Sequence, residues 1–238
     1  MSAFFLNCAI AVGALLLYLG VQFVLSLAMT FIGQGAYFAR YPDAGFEEVY
    51  DFCEQYIISH QCFALVFAAL FTFTILFGYF SARGQNPAQE LRAAKVSFGH
   101  IVLFMFIGTI LNFVIGIAVS FIPWPEAWMS VYEEESSQLL AGEGFIFQVL
   151  AIVVAAPIME EVIFRGMMQE YLSRVMPSVL AMFIQCIIFG LIHGTPLWMC
   201  YTFVLGLIFT LCNKKSGSLW TSIAMHMGFN LFAVIPME

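Results

Sequence analysis

Seven stretches of the chain are almost continuously apolar, at 3–32, 57–81, 98–122, 144–164, 178–193, 197–212 and 218–235. A helix that crosses a bilayer needs roughly 20 mostly apolar residues. The pattern therefore predicts an all-α, polytopic membrane bundle of about seven transmembrane helices, within a range of six to eight. No strand-like alternation, fixed-period repeat or low-complexity tract interrupts it, so residues 1–238 read as a single transmembrane domain. The first run has no Lys or Arg before Arg40 and is much longer than a secretory apolar core. It is expected to stay as an anchor rather than to be removed as a signal peptide.

Two polar intervals, 33–56 and 123–143, are the longest predicted loops. Within the second, PWPEAW reads as a turn with interfacial tryptophans, and SVYEEESSQLLAGEG as a short amphipathic helix at the headgroup level. Glycine and proline punctuate the second half at Pro157, Gly166, Pro177, Gly190, Gly194, Pro196 and Gly206. Broken or kinked helices around an intramembrane cavity are expected there, because bilayer-depth backbone that leaves the helical pattern must be covered by protein or water.

Composition agrees with the pattern: 62% of residues are hydrophobic and only 10% charged, too few to coat a soluble globule of this size. The positions of the charges add orientation. Arg83, Arg92 and Lys95 form one basic loop, Arg165 and Arg174 flank the next, and Lys214 and Lys215 mark the last. Acidic segments lie between them, at 41–55 and around Glu126, Glu133, Glu134, Glu135 and Glu143. By the positive-inside tendency this alternation places the N-terminus in the cytoplasm and the C-terminus outside. The net charge of −7 then belongs mainly to outer loops, and nothing in it points to nucleic acid. Six cysteines, Cys8, Cys53, Cys62, Cys186, Cys200 and Cys212, show no CxxC spacing, so they read as small buried apolar residues, with a Cys53–Cys62 bridge as the minor alternative.

Against this background a few polar residues stand out. EEVIFR at 160–165 puts two carboxylates and a guanidinium beside long apolar runs, where each charge costs at least about 2.5 kcal/mol. Residues four apart share a helix face, so Glu161 can pair with Arg165 while Glu160 faces elsewhere. FGLIH, Phe189 to His193, and HMGFN, His226 to Asn230, repeat the four-residue spacing on two later apolar runs. Phe189 can pack under His193, and His226 and Asn230 can line one face. Singly, each pair reads as glue between helices. Together, two histidine pairs that follow a buried diglutamate point to one shared site.

Glu-Glu-x-x-x-Arg, Phe-x-x-x-His and His-x-x-x-Asn, in that order in a polytopic protein, resemble the CAAX-endopeptidase and bacteriocin-processing (CPBP, Abi) family of intramembrane proteases. The resemblance covers residues 98–236, which it marks as a catalytic core. It implies that Glu160 and His193 activate water, that His226 and Asn230 form an oxyanion hole, and that Glu161 is an orienting or second catalytic carboxylate supported by Arg165 and Phe189. Amide cleavage needs an activated water on one side of the carbonyl and fixed donors on the other, which suits that division of labour. Water activation without a metal is the favoured version. A zinc version would use Glu160, His193 and His226, which match a catalytic His, His, Glu set although HExxH is missing.

The implied partners are a peptide or lipidated protein substrate and membrane lipids, and the favoured location is a bacterial plasma membrane. Rival readings are a non-proteolytic immunity or scaffold protein and a small transporter with a carboxylate proton relay. Simple alternation raises one difficulty: it puts Glu160 near the cytoplasmic end of its helix and His193 near the outer end of the next, although the chemistry needs them close.

Overall fold

In a computed structural model, the chain is described over residues 3–141 and 144–235. Glu143 and the last residue of the expected 98–236 core lie outside the described residues. The path is helical from end to end: α1 Ala3–Arg40, α2 Phe46–Ala82, the short α3 Pro87–Glu90, α4 Phe98–Ser120, α5 Glu126–Leu139, α6 Phe145–Ser173, α7 Ser178–Leu191, α8 Pro196–Ser216 and α9 Leu219–Asn230, which runs on as a 3₁₀ turn over Leu231–Val234. Among the described residues, five helices (α1, α2, α4, α6 and α8) are long and apolar enough to cross a membrane, and α7 and α9 are shorter apolar helices in the remaining predicted spans. The protein is a polytopic helical membrane bundle.

The interval 33–56, predicted as a loop, is mostly helix. The α1–α2 connection shrinks to residues 41–45, where Pro42 and Gly45 break the pattern, and Glu48 receives the Gly45 N–H at the start of α2. Polar residues in 33–56 hid the helix because its contacts are aromatic: the rings of Tyr37 and Phe52 lie 4.8 Å apart and those of Tyr56 and His60 4.2 Å apart. Gly33 also lets Tyr56 and Cys53 close against α1. Cys53 and Cys62 lie on one helix nine residues apart, about 13 Å along its axis, so the minor bridge reading is wrong: a disulfide needs Cα atoms within about 7 Å. The expected amphipathic helix in 123–143 is α5, starting four residues before SVYEEE. It packs on α2 and α8, with Gln61 donating to the Gln138 carbonyl and Tyr132 edge-on to Trp198 at 5.7 Å.

Basic loops gather at one end of the bundle. Arg92 pairs with Glu170 at 3.1 Å, Arg174 with Glu90 at 2.8 Å, and Lys214 donates to the Ser178 hydroxyl at 2.5 Å. The Ser218 hydroxyl and the Leu219 N–H add bonds to the Ala94 and Arg92 carbonyls. The loop at 41–45 and α5 occupy the other end, as the alternation of charge predicted.

Helix α6 is not uniform. Two stretches, Val149–Ala155 and Val162–Met168, are wound as π-helix on either side of the glutamates. Pro157 explains the first, because a proline ring clashes with the carbonyl four residues back in an α-helix and brings no N–H. Widened turns of this kind recur at functional sites. The main apolar core lies where α6 meets α1, α2 and α7, and includes Tyr18, Phe80, Phe164, Met168 and Phe189. α9 lies along α4 at backbone contact: a Cβ on Gly108 would meet the Met225 carbonyl, and one on Gly228 the Met105 carbonyl. The Thr109 hydroxyl donates to the Gly228 carbonyl at 3.0 Å across this seam.

Candidate active site

The predicted end of the fourth span at residue 164 is nine residues too early. α6 runs to Ser173, so Glu160 lies near the middle of a 29-residue apolar helix and not at its cytoplasmic boundary. The charge of Arg165 misled the sequence reading. Its guanidinium is buried and paired, so it does not mark a headgroup boundary. α7 corrects the other half of the difficulty. Its 14 residues rise only about 21 Å, less than the roughly 30 Å of a bilayer core. His193 therefore ends a half-length helix, and the offset that simple alternation seemed to impose disappears.

Local chemistry fixes each member. Glu161 is fully buried; its Oε1 accepts from Arg165 Nη1 at 2.9 Å and lies 3.0 Å from His226 Nδ1. The Arg165 guanidinium also stacks over the Phe189 ring at 4.3 Å and donates to the Gly206 carbonyl at 3.3 Å. A charge pair out of water is tolerable only with such additional partners. His226, on α9, faces both glutamates, with Nε2 3.8 Å from Glu160 Oε2. Glu160 itself keeps a 17% exposed side chain, and its buried Oε2 has no hydrogen-bond partner in the protein.

His193 follows the last turn of α7. Gly194, at φ 80°, takes the left-handed conformation that ends the helix, and Thr195 caps α8 ahead of Pro196. This turn explains why FGLIH is followed by GTP. The His193 ring lies 4.8 Å from Phe189, its Nδ1 is 2.6 Å from the Phe189 carbonyl, and Glu160, His226 and Arg165 are all within electrostatic range. With Nδ1 held by that carbonyl, Nε2 is the free nitrogen. Phe189 is edge-on to His226 as well, at 6.2 Å, so one ring spaces the two histidines.

Asn230 has a structural partner that the motif did not disclose. In the first π stretch the Ala156 N–H reaches the Ala151 carbonyl, five residues back. The next bond of that series would run from residue 157 to the Ile152 carbonyl, and proline has no N–H to give. Asn230 Nδ2 donates to the Ile152 carbonyl instead, at 2.9 Å. One amide hydrogen is thereby committed and the other remains.

Residues Glu160, Glu161, Arg165, Phe189, His193 and His226 are thus brought into one cluster, with Asn230 one turn beyond His226. Sequence reasoning missed Tyr18 of α1, which is buried and within electrostatic range of Glu160. No motif marks it; a lone tyrosine in an apolar run carries no signal. Among the described residues no group of three His, Cys, Asp or Glu side chains is spaced to hold a metal ion.

Residues 142–232 match the family model described as Rce1-like, type II CAAX prenyl endopeptidase. The matched stretch contains all three motifs, and the family resemblance drawn from them holds. No curated protein and no solved structure matches the chain.

Proposed function

We propose, taking the Rce1-like match as premise, that this protein is an intramembrane endopeptidase that hydrolyses a peptide bond in a membrane-associated protein or peptide, a prenylated protein among the substrates. The observation that carries the reading is the cluster in which His226 faces both Glu160 and Glu161, buried in the middle of a long apolar helix. Charges at that depth face a bundle interior or a wet cavity and mark chemistry.

Glu160, partly exposed and with an oxygen unpaired by protein, is the base. With His193 it takes a proton from water as the water oxygen bonds to the acyl carbon. The carbon–nitrogen bond then breaks, and the proton passes to the leaving amine. His226, in its imidazolium form with Nδ1–H on Glu161, donates through Nε2–H to the oxyanion, and the second amide hydrogen of Asn230 supplies the other donor. Glu161 and Arg165 hold the His226 ring by its Nδ1 and leave Nε2 toward the reacting side. Water activation by carboxylate and imidazole, without a metal, is the version of the mechanism favoured here. The basic end faces the cytoplasm, with the N-terminus on that side, and a bacterial plasma membrane is the favoured setting.

Purified in detergent, wild type is expected to cut a membrane-anchored peptide reporter, while Glu160→Ala and His193→Ala abolish cutting with folding retained by size-exclusion profile. Undiminished cutting in both variants defeats the assignment of Glu160 and His193, and a wild-type protein that cuts nothing leaves a scaffold or immunity role.

A further inference from the structure

Beyond the cluster, α6 carries its polar stripe on for two more turns: Glu161, Arg165, Gln169 and Ser173 follow at four-residue spacing on one face. The rings of Phe189 on α7 and Phe209 on α8 cover Arg165 at 4.3 and 5.6 Å, and polar side chains of the same two helices lie beside them. Gln185 Nε2 donates to the Thr210 hydroxyl at 2.7 Å, and Thr210 donates to the same Gly206 carbonyl that Arg165 reaches. Lower down, Gln169 Nε2 is shared between the Ser173 hydroxyl at 2.8 Å and the Ser178 carbonyl at 3.3 Å, and Lys214 caps Ser178 at the basic end. Glu161, Arg165, Gln169, Gln185 and Thr210 are all at most 2% exposed.

Two hydrogen-bonded segments result, one descending from His226 to Gln185 and one rising from Lys214 to Gln169. The groups left over are Gln185 Oε1, Gln169 Oε1, Arg165 Nε and Glu161 Oε2, all buried and without a protein partner. The amide orientations are fixed: Ser178 O can only accept, and the Thr210 hydrogen is already given to Gly206. Three of the leftover atoms are therefore acceptors and one is a donor. Acceptors cannot satisfy one another, and a buried polar atom left bare costs about 1–3 kcal/mol. Two or more molecules, each with two donor hydrogens and an acceptor oxygen, are needed to meet all four.

We propose that a file of ordered water molecules, bound by Gln169, Gln185, Arg165 and Glu161, joins the two segments and connects the buried cluster to the aqueous phase at the basic end. Its role rests on the proposed hydrolysis. Each turnover consumes one water inside the bilayer, and the file is the route by which water and protons at the cluster are renewed.

Two measurements test it. A structure of the wild-type protein at a resolution that shows solvent is expected to place water within about 3 Å of Gln169 Oε1, Gln185 Oε1 and Arg165 Nε; an empty or hydrocarbon-filled stripe overturns the proposal whatever the enzyme does. Gln185→Leu and Gln169→Leu, neither of which touches the glutamates or histidines, are expected to lower kcat several-fold with KM unchanged and to enlarge the solvent deuterium isotope effect. Wild-type kcat and isotope effect in both variants remove the supply role. A wild-type protein that cuts no substrate sinks the proposed function, and the solvent positions alone then decide the file.

Discussion

A single missing hydrogen links two residues 73 positions apart. Pro157 deprives the Ile152 carbonyl of its helical donor and Asn230 replaces it. The side chain placed at the oxyanion by the family resemblance thus also holds α9 against α6, so a loss of activity on removing it would not by itself report an oxyanion role. Asn230→Ala is expected to destabilise the protein by about 1–3 kcal/mol, the cost of a buried unpaired carbonyl. In a Pro157→Ala background, where residue 157 regains an N–H, the same change is expected to cost clearly less. Thermal unfolding in detergent across the four proteins of this cycle measures the coupling; equal costs in both backgrounds refute the link. The motif residues were legible in the sequence because charge and histidine are rare in apolar runs. This partnership was not, because it depends on a backbone atom that a change of helical winding exposes.

At the scale of elements, the sequence revealed the apolar helices and misplaced their ends. Charge misled at both places: Arg165 ended α6 early, and the acidic residues of 41–55 turned a helix into a loop. In each case tertiary contacts, a buried ion pair and a run of aromatic rings, supplied what local composition lacked. The α4–α9 seam was equally hidden, since glycine in a membrane run carries no periodic signal. Gly108→Ala and Gly228→Ala each push a methyl group into facing backbone. A well-packed site charges about 1–3 kcal/mol for such crowding, and here the displaced helix carries His226. Both variants are expected to unfold at lower temperature and to cleave more slowly, whereas Gly116→Ala, with open space around its Cβ, is expected to match wild type in both. A wild-type melting curve for Gly108→Ala and Gly228→Ala denies that the helices touch.

For the whole molecule, the asymmetry of Lys and Arg predicted two unlike ends, and the loops do segregate that way. Single-cysteine variants on a cysteine-free background convert this into an accessibility experiment in intact cells. Cysteines at Gln85 and Lys215 are expected to share one labelling behaviour with an impermeant reagent, protected, and one at Asp43 the opposite, labelled. Joint labelling of Gln85 and Asp43 positions contradicts the arrangement, and reversal of both signs overturns the cytoplasmic orientation of the basic end.

The helical hairpin of α1 and α2 has a further consequence. At 38 and 37 residues its arms are each about 56 Å long, and even a 40° lean, the upper end of observed tilts, leaves a vertical reach of about 43 Å against a hydrocarbon slab of roughly 30 Å. Seen in profile, the protein is lopsided, with a stiff acidic crest standing clear of the lipid on the face away from the lysines.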